Sequence, residues 1–392
     1  MLALVGAREA LVQAQTCHRG IMPLKSLARP RLSPVTMTEK ETNTHDGLIP
    51  GLPEDMAKIC LALVPRRHFP AMGAVSRRWM SYIGSREFSA VRKEVRKIEE
   101  LVYVLAAEAG EKGCRWEVLG ERKNSAIPPM PGLAKVGFGV VVLYGKLCVI
   151  AGYAALHGKD SVSDEVYQYD ARLNSALMNV HMHRWGALAK MNVARRDFAC
   201  AEVDGTIYAA GGFGCSGHSL SSVEAYDPQQ NRWRLIDGLR RPRWGCFACG
   251  LDSKLYIMGG RSSFTIGNSR FVDVYDPGRD RWEEIKRGCV MATSHAVVGE
   301  TLFCVEWKNQ RCLSAFSPSD GSWKKIPVPL TGSSSTRFCL GARGGKLLLL
   351  SQEEEGGYQT MTYDPAAAPG SEWGTSELKP SGLCLCSVTI QV

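Results

Sequence analysis

No apolar run in this 392-residue chain reaches the roughly 18 residues that a membrane-spanning helix needs, so no membrane partner is expected. Histidine is scarce, with eight in all, and only His181 and His183 stand close together, which leaves little from which to build a metal centre. No Ser-His-Asp set and no phosphate-cradling glycine pattern stands out either. The expectation is therefore a protein with no catalytic residue, no metal and no cofactor. A basic face interleaved with aromatics is also missing. The net charge of +9 is spread along the chain, which argues against nucleic acid and favours acidic partners only weakly.

Cysteine is not lacking, but its placement argues against a disulfide framework. Of fourteen cysteines, Cys200, Cys246, Cys249, Cys339, Cys384 and Cys386 fall inside apolar strand-like segments, where a free thiol behaves as a small hydrophobe. Cys246-Phe247-Ala248-Cys249 has the spacing of a metal or redox pair. On a strand, residues three apart point to opposite faces and cannot chelate one ion. A reducing compartment, cytosol or nucleus, follows as the expected location.

What the chain does have is self-similarity. Arg195-Arg196-Asp197-Phe198, Gly205 to Ala210, Gly211-Gly212, Tyr226-Asp227-Pro228 and Trp233 are followed by Arg243-Trp244, Lys254 to Met258, Gly259-Gly260, Tyr275-Asp276-Pro277 and Trp282. The offsets between equivalent positions are 48 to 49 residues. Each unit holds four apolar or alternating runs between turn signals, which predicts a four-stranded antiparallel meander. Such a sheet has two apolar faces and must stack radially on neighbours to bury them. The ordered set Arg, Gly-Gly, Tyr-Asp-Pro, Trp at a period near fifty resembles the kelch repeat of β-propellers.

Before the repeats the chain changes character twice. Residues 1–46 are basic and acid-poor at the start and interrupted by Pro23, Pro30 and Pro34. They are expected to be a disordered leader in preference to an organelle-targeting helix. Residues 47–95 read as a compact all-α module. Pro53-Glu54-Asp55 opens a helix, Met56, Ile59, Cys60 and Leu63 share one face, and Pro65 ends it. Phe69 and Met72 mark a second helix; Ser76 caps a third that carries Trp79, Tyr82 and Ile83. A last, basic helix carries Phe88, Val91 and Val95, with Arg92, Lys93, Arg96 and Lys97 expected on its wet side. So small a module buries little surface alone, and a partner helix is its natural complement. Leu52-Pro53-Glu54-Asp55, Ile59, Leu63-Val64-Pro65 and Val75-Ser76-Arg77-Arg78-Trp79 resemble an F-box, the module that docks on the Skp adaptor of a cullin-RING ubiquitin ligase.

From residue 96 the expectation is an all-β propeller of six blades. Blades three and four are the clear units; five and six lack Gly-Gly but keep the strand order through Phe316-Ser317-Pro318 and Trp323, and through Tyr363-Asp364-Pro365 and Trp373. Blade one, built on 100–105 and 116–119, lacks its first strand. Leu383 to Ile390 is a spare strand, and pairing the two closes the ring, as kelch propellers are known to do.

An F-box followed by such a propeller resembles the plant F-box/kelch-repeat proteins. The resemblance implies a non-catalytic substrate receptor of an SCF-type ligase, holding the adaptor through Leu52, Pro53, Ile59, Leu63, Pro65, Val75 and Trp79. The propeller would hold a protein target for ubiquitination. Arg195, Arg196, Arg243 and Arg337 precede first strands and are expected to ring one rim, with Trp244 beside them, as a site for an acidic loop. The competing expectation is that each arginine ties the blades together through a carboxylate. Two alternatives of other classes are a copper oxidase, which the histidine set disfavours, and a cytoskeletal scaffold, which the F-box disfavours.

Overall fold

A computed structural model describes residues 47–392 except 108–112, 121–122, 133–134, 157–158, 172–184, 287, 289–291, 307–308, 330–337 and 353–356. The leader, His181, His183 and Arg337 lie outside the described residues.

The helical module has four short α-helices and one 3-10 turn, Arg66–His68. Helix α1, Glu54–Leu63, starts after Pro53 with two acids in its first turn and stops before Pro65. Helix α2 is Phe69–Val75, with Pro70 near its start. Helix α3, Arg77–Ile83, is capped by Ser76, whose hydroxyl accepts from the Trp79 N–H at 3.1 Å. Helix α4, Arg86–Glu94, is capped in the same way by Ser85 on Phe88. Ala57, Leu61, Ala62, Phe69, Met72, Tyr82, Ile83 and Phe88 form its core.

One expectation fails in this module. Arg92 is buried, not on the wet side of α4. Its guanidinium donates to the carbonyls of Ala62 at 2.8 Å, Val64 at 3.0 Å and Lys97, which satisfies the carbonyls left open where α1 ends.

The remainder is a closed ring of six four-stranded antiparallel sheets. Blade two comprises Gly139–Leu143, Lys146–Ile150, Val166–Asp170 and Gly186–Leu188; blade three comprises Ala199–Val203, Thr206–Ala210, Val223–Asp227 and Arg232–Ile236. Blade four comprises Trp244–Leu251, Lys254–Arg261, Phe271–Asp276 and Arg281–Lys286. Blades five and six follow in the same order, so the loss of Gly-Gly there leaves the topology untouched. Blade one takes its first strand from the far end of the chain: Leu383–Gln391 pairs antiparallel with Glu100–Ala107, with Glu100 opposite Gln391 and Leu105 opposite Cys386.

Each adjacent pair of blades encloses its own apolar layer. Ala201, Tyr208 and Ala225 of blade three meet Ala248, Leu255, Ile257 and Tyr275 of blade four. The layer between blades six and one joins Leu348 and Leu350 to Val102 and Val104, which seals the ring. Cys246 lies in the layer toward blade three and Cys249 in that toward blade five, on opposite faces of one sheet. The tryptophans add hydrogen bonds across the seams. Trp185 Nε1 donates to Pro128 O at 2.8 Å, Trp233 to Ala189 O at 3.0 Å and Trp282 to Asp237 O at 3.0 Å, each toward the preceding blade.

Candidate functional site

Among the described residues two surfaces gather several large apolar side chains in water, while Leu235 is exposed singly. The first is on the helical module. Leu52, Met56, Ile59, Leu63 and Val75 are 37% to 64% exposed, although the opposite side of α1 is packed through Ala57, Leu61 and Ala62. Pro53, Pro65 and Cys60 are exposed beside them. Of the seven residues named from sequence, six therefore lie on the surface. Trp79 differs: it is half-buried against the module's core, and its indole N–H donates to Leu48 O at 2.6 Å. Met56 belongs to the exposed strip without having been among the seven. Its helical spacing from Ile59 and Leu63 was the available signal.

The module meets the ring at blade two. Arg66 donates to Ala171 O at 2.9 Å, and the Arg86 guanidinium lies 3.5 Å from the centre of the Tyr144 ring. Tyr144 stands in the turn between the first two strands of blade two, and Ala171 follows its third strand. In an antiparallel meander those turns share one end of the blade. The loops after Gly-Gly and the links between blades lie at the other. The second surface is built from these opposite loops, so it faces away from the module's contact with the ring.

Its framework is a cation buried just before a blade's first strand. Arg195 Nη2 donates to Glu224 Oε1 at 2.8 Å and Arg195 Nη1 to Gly211 O at 2.8 Å and Ser222 O at 3.0 Å; both partners of the ion pair are fully buried. Arg243 repeats the arrangement with Asp273 in blade four. In blade two Lys135 takes the position and donates to Glu165 at 2.7 Å. Burial pulls the Arg195 guanidinium below its ordinary value, opposed by the hydrogen bond and charge of Glu224. Burial likewise pushes the Asp273 carboxyl up, opposed by Arg243.

The backbone of each such arginine crosses to the preceding blade. Gly152 N–H donates to Arg195 O at 3.0 Å and Gly212 N–H to Arg243 O at 2.8 Å. The first glycine of the blade-three pair faces this contact, since a Cβ on Gly211 would sit 2.5 Å from Arg243 O, and the second is needed within its own blade. At Gly212 φ is +98°, and a Cβ would sit 2.7 Å from Arg196 O and from the Phe198 Cβ. Arg195 and Arg243 therefore present no surface to a partner; their side chains lock their own blades, and their backbones tie the blades together.

The next residue points the other way. Val136, Arg196 and Trp244 follow the buried cations and pair across the rim with Tyr153, Phe213 and Arg261, the residues that follow the glycines. The result is a stack spanning three blades. The Arg196 guanidinium lies 4.7 Å from the Tyr153 ring centre and 4.9 Å from that of Phe213, and Phe213 is 4.7 Å from Trp244. Arg196 also donates to Asp197 at 2.6 Å. Beyond this stack opens a cavity of about 530 Å³ lined by Phe213, Trp244, Arg261, Ser262, Thr265 and Asn268, among others. Of the rim residues named from sequence, the structure brings Arg196 and Trp244 to the surface. It buries Arg195 and Arg243, and Phe213 and Arg261 were missed as individual residues.

These features define a class, a six-bladed propeller preceded by a small helical module, and the comparisons narrow it. Two family models, each described as a Kelch motif, match residues 194–239 and 242–289. The chain is 52% identical over 352 residues to an F-box/kelch-repeat protein of Arabidopsis thaliana, covering 89% of this chain and 91% of that one. It is 36% identical over 355 residues to a putative F-box/kelch-repeat protein of the same plant, covering 88% and 97%. A solved structure titled "Structure of YjhT" shares the fold at a TM-score of 0.50 and 12% identity, covering 67% of this chain and 91% of that one. The chain belongs to the F-box/kelch-repeat family.

Proposed function

We propose that this protein is the non-catalytic substrate-recognition subunit of an SCF-type ubiquitin ligase. The helical module binds a Skp-type adaptor, and the propeller binds a protein that is thereby presented for ubiquitination. The observation that carries the reading is the exposed strip Leu52, Met56, Ile59, Leu63 and Val75 on a module whose other side is already packed. A strip of this kind is what a partner helix covers. Support also comes from the placement of the cavity at the end of the blades opposite the module's contact, where a bound target and a bound adaptor do not compete. Free cysteines throughout the described strands suit the cytosol or nucleus as the place of action.

The test is co-purification of the full chain with the adaptor. Changing Leu52 and Pro53 together to Ala should abolish capture while the thermal unfolding of the propeller is unchanged. Retained capture by the double variant overturns the reading.

A further inference from the structure

The seam of blades three and four has a chemistry of its own, and it deepens the receptor reading on which it rests. The two loops that line the cavity, 213–221 and 261–270, contain Arg261, Arg270 and His218 but no Asp or Glu. The acid nearest each loop in the chain is engaged and buried, Glu224 by Arg195 and Asp273 by Arg243, and Asp197 is paired with Arg196. Arg261 donates through Nε to Asn268 at 2.7 Å, and its terminal nitrogens have no acceptor among the described residues. Beside the mouth, Phe264 is exposed and stacks on His218 with ring centres 5.6 Å apart, while Ile266 is fully exposed. Apolar side chains held out beside a cationic cavity mark a surface that a partner covers.

We propose that this seam takes an acidic segment of the target protein carrying one apolar side chain. That side chain enters the cavity against the Phe213–Trp244 pair, and a flanking carboxylate pairs with Arg261. Ser262 and Thr265 line the same cavity and offer hydroxyls to the backbone of the segment. A planar guanidinium held by Asn268 is suited to bidentate capture of a carboxylate. A nucleic-acid strand fits less well. The rings of Phe213 and Trp244 are tilted at 41° to each other and Arg196 lies against Phe213, so the two rings offer no parallel platform on which successive bases could stack.

The experiment pans a random peptide library over the full chain bound to its adaptor. The expected outcome is enrichment of sequences in which Asp or Glu flank a single Phe, Trp, Leu or Met. A fluorescein-labelled peptide of that type should bind less tightly as salt rises. It should lose about tenfold or more in affinity with Trp244→Ala and with Arg261→Ala. Arg261→Glu, an exchange at the cavity wall, should turn selection away from acidic sequences and serves as the control should Trp244→Ala disturb folding. Absence of acidic enrichment, unchanged affinity in the Arg261 variants, or equal binding by an oligouridine of matched charge overturns the proposal. Adaptor capture is read in the same samples. Its loss in the wild-type chain sinks the receptor reading, whereas its persistence without acidic selection sinks only the seam assignment.

Discussion

The strip on the helical module and the rim of blades three and four both bring large apolar side chains to the surface, yet they are assembled in opposite ways. Met56, Ile59 and Leu63 come from one helix, two turns long at that face, with Leu52 and Val75 close by. On the rim, Tyr153, Arg196, Phe213 and Trp244 are drawn from three repeats and meet only because the blades hold a common register. The first surface depends on local spacing and the second on the ring. Anything that opens the ring should therefore destroy the rim outright, while the strip is vulnerable only to changes made within it.

The largest effect expected from that difference follows removal of residues 383–392. Ile390 and Val392 are buried, and the lost strand is the sole partner of the inner edge of Glu100–Ala107 among the described residues. Each buried aliphatic chain contributes roughly 1.5–3 kcal/mol, and the inner edge of Glu100–Ala107 would be exposed. The truncated protein should aggregate on size-exclusion chromatography; a soluble monomer with unchanged melting would show that the ring does not need this strand.

Smaller, and confined to the propeller, is the contrast between two adjacent arginines. Arg195→Ala leaves the Glu224 carboxylate buried without its cation and should cost about 3–5 kcal/mol. Arg196→Ala removes a guanidinium that water still reaches, although Asp197 itself is largely buried, and should cost less, about 1–2 kcal/mol. Urea unfolding of the two variants measures the difference, and equal costs would contradict the placement of the two side chains.

A pH effect of intermediate size comes from the seam of blades four and five. His295 lies 4.9 Å from Phe247 and hydrogen-bonds the Ala248 backbone, and burial pushes its pKa down to about 4. The folded state thus prefers the neutral ring. Its stability is full above the unfolded value of about 6.5 and is lost as pH falls toward 4, by about 1–2 kcal/mol at pH 5. Comparing urea midpoints at pH 7 and pH 5 should show the loss, and His295→Gln should flatten it.

The smallest change in stability is expected in the module. Met56→Glu places a charge on an exposed position and should alter unfolding by no more than about 0.5 kcal/mol. Adaptor affinity should nevertheless fall about tenfold or more, a cost in the range of a truncated interface anchor. Intact affinity would remove Met56 from the docking strip.

The contrast also explains what could be read from the residues alone. The repeat, the blade order, the closing strand and the exposed face of α1 are all statements about spacing, and spacing is visible in a sequence. The buried cations were harder. Arg195 and Arg196 are chemically identical, and the carboxylate that decides between them, Glu224, lies 29 residues away on another strand. Alternation along the extended backbone implied that adjacent arginines could not both face the rim. Arg92 was missed for a related reason: a cation that serves the end of another helix resembles a solvated one until that helix is seen to stop there. The hairpin of Tyr153–Leu156 and Lys159–Val162 in place of a simple loop carried no turn signal beyond one glycine.

The closing strand imposes a timetable on the molecule. A chain is made from its N-terminus at about 5–20 residues per second, and Leu383–Gln391 emerges some 280 residues after the strand it must join. For roughly 15–60 s the edge of Glu100–Ala107 is therefore without its mate during synthesis. Val102 and Val104, which pack against Leu348 and Leu350 in the finished ring, also wait for blade six before they can be covered. Until its mate arrives, that edge is a template on which any other extended segment could pair, so the order of synthesis and the order of closure set the chain's most aggregation-prone interval.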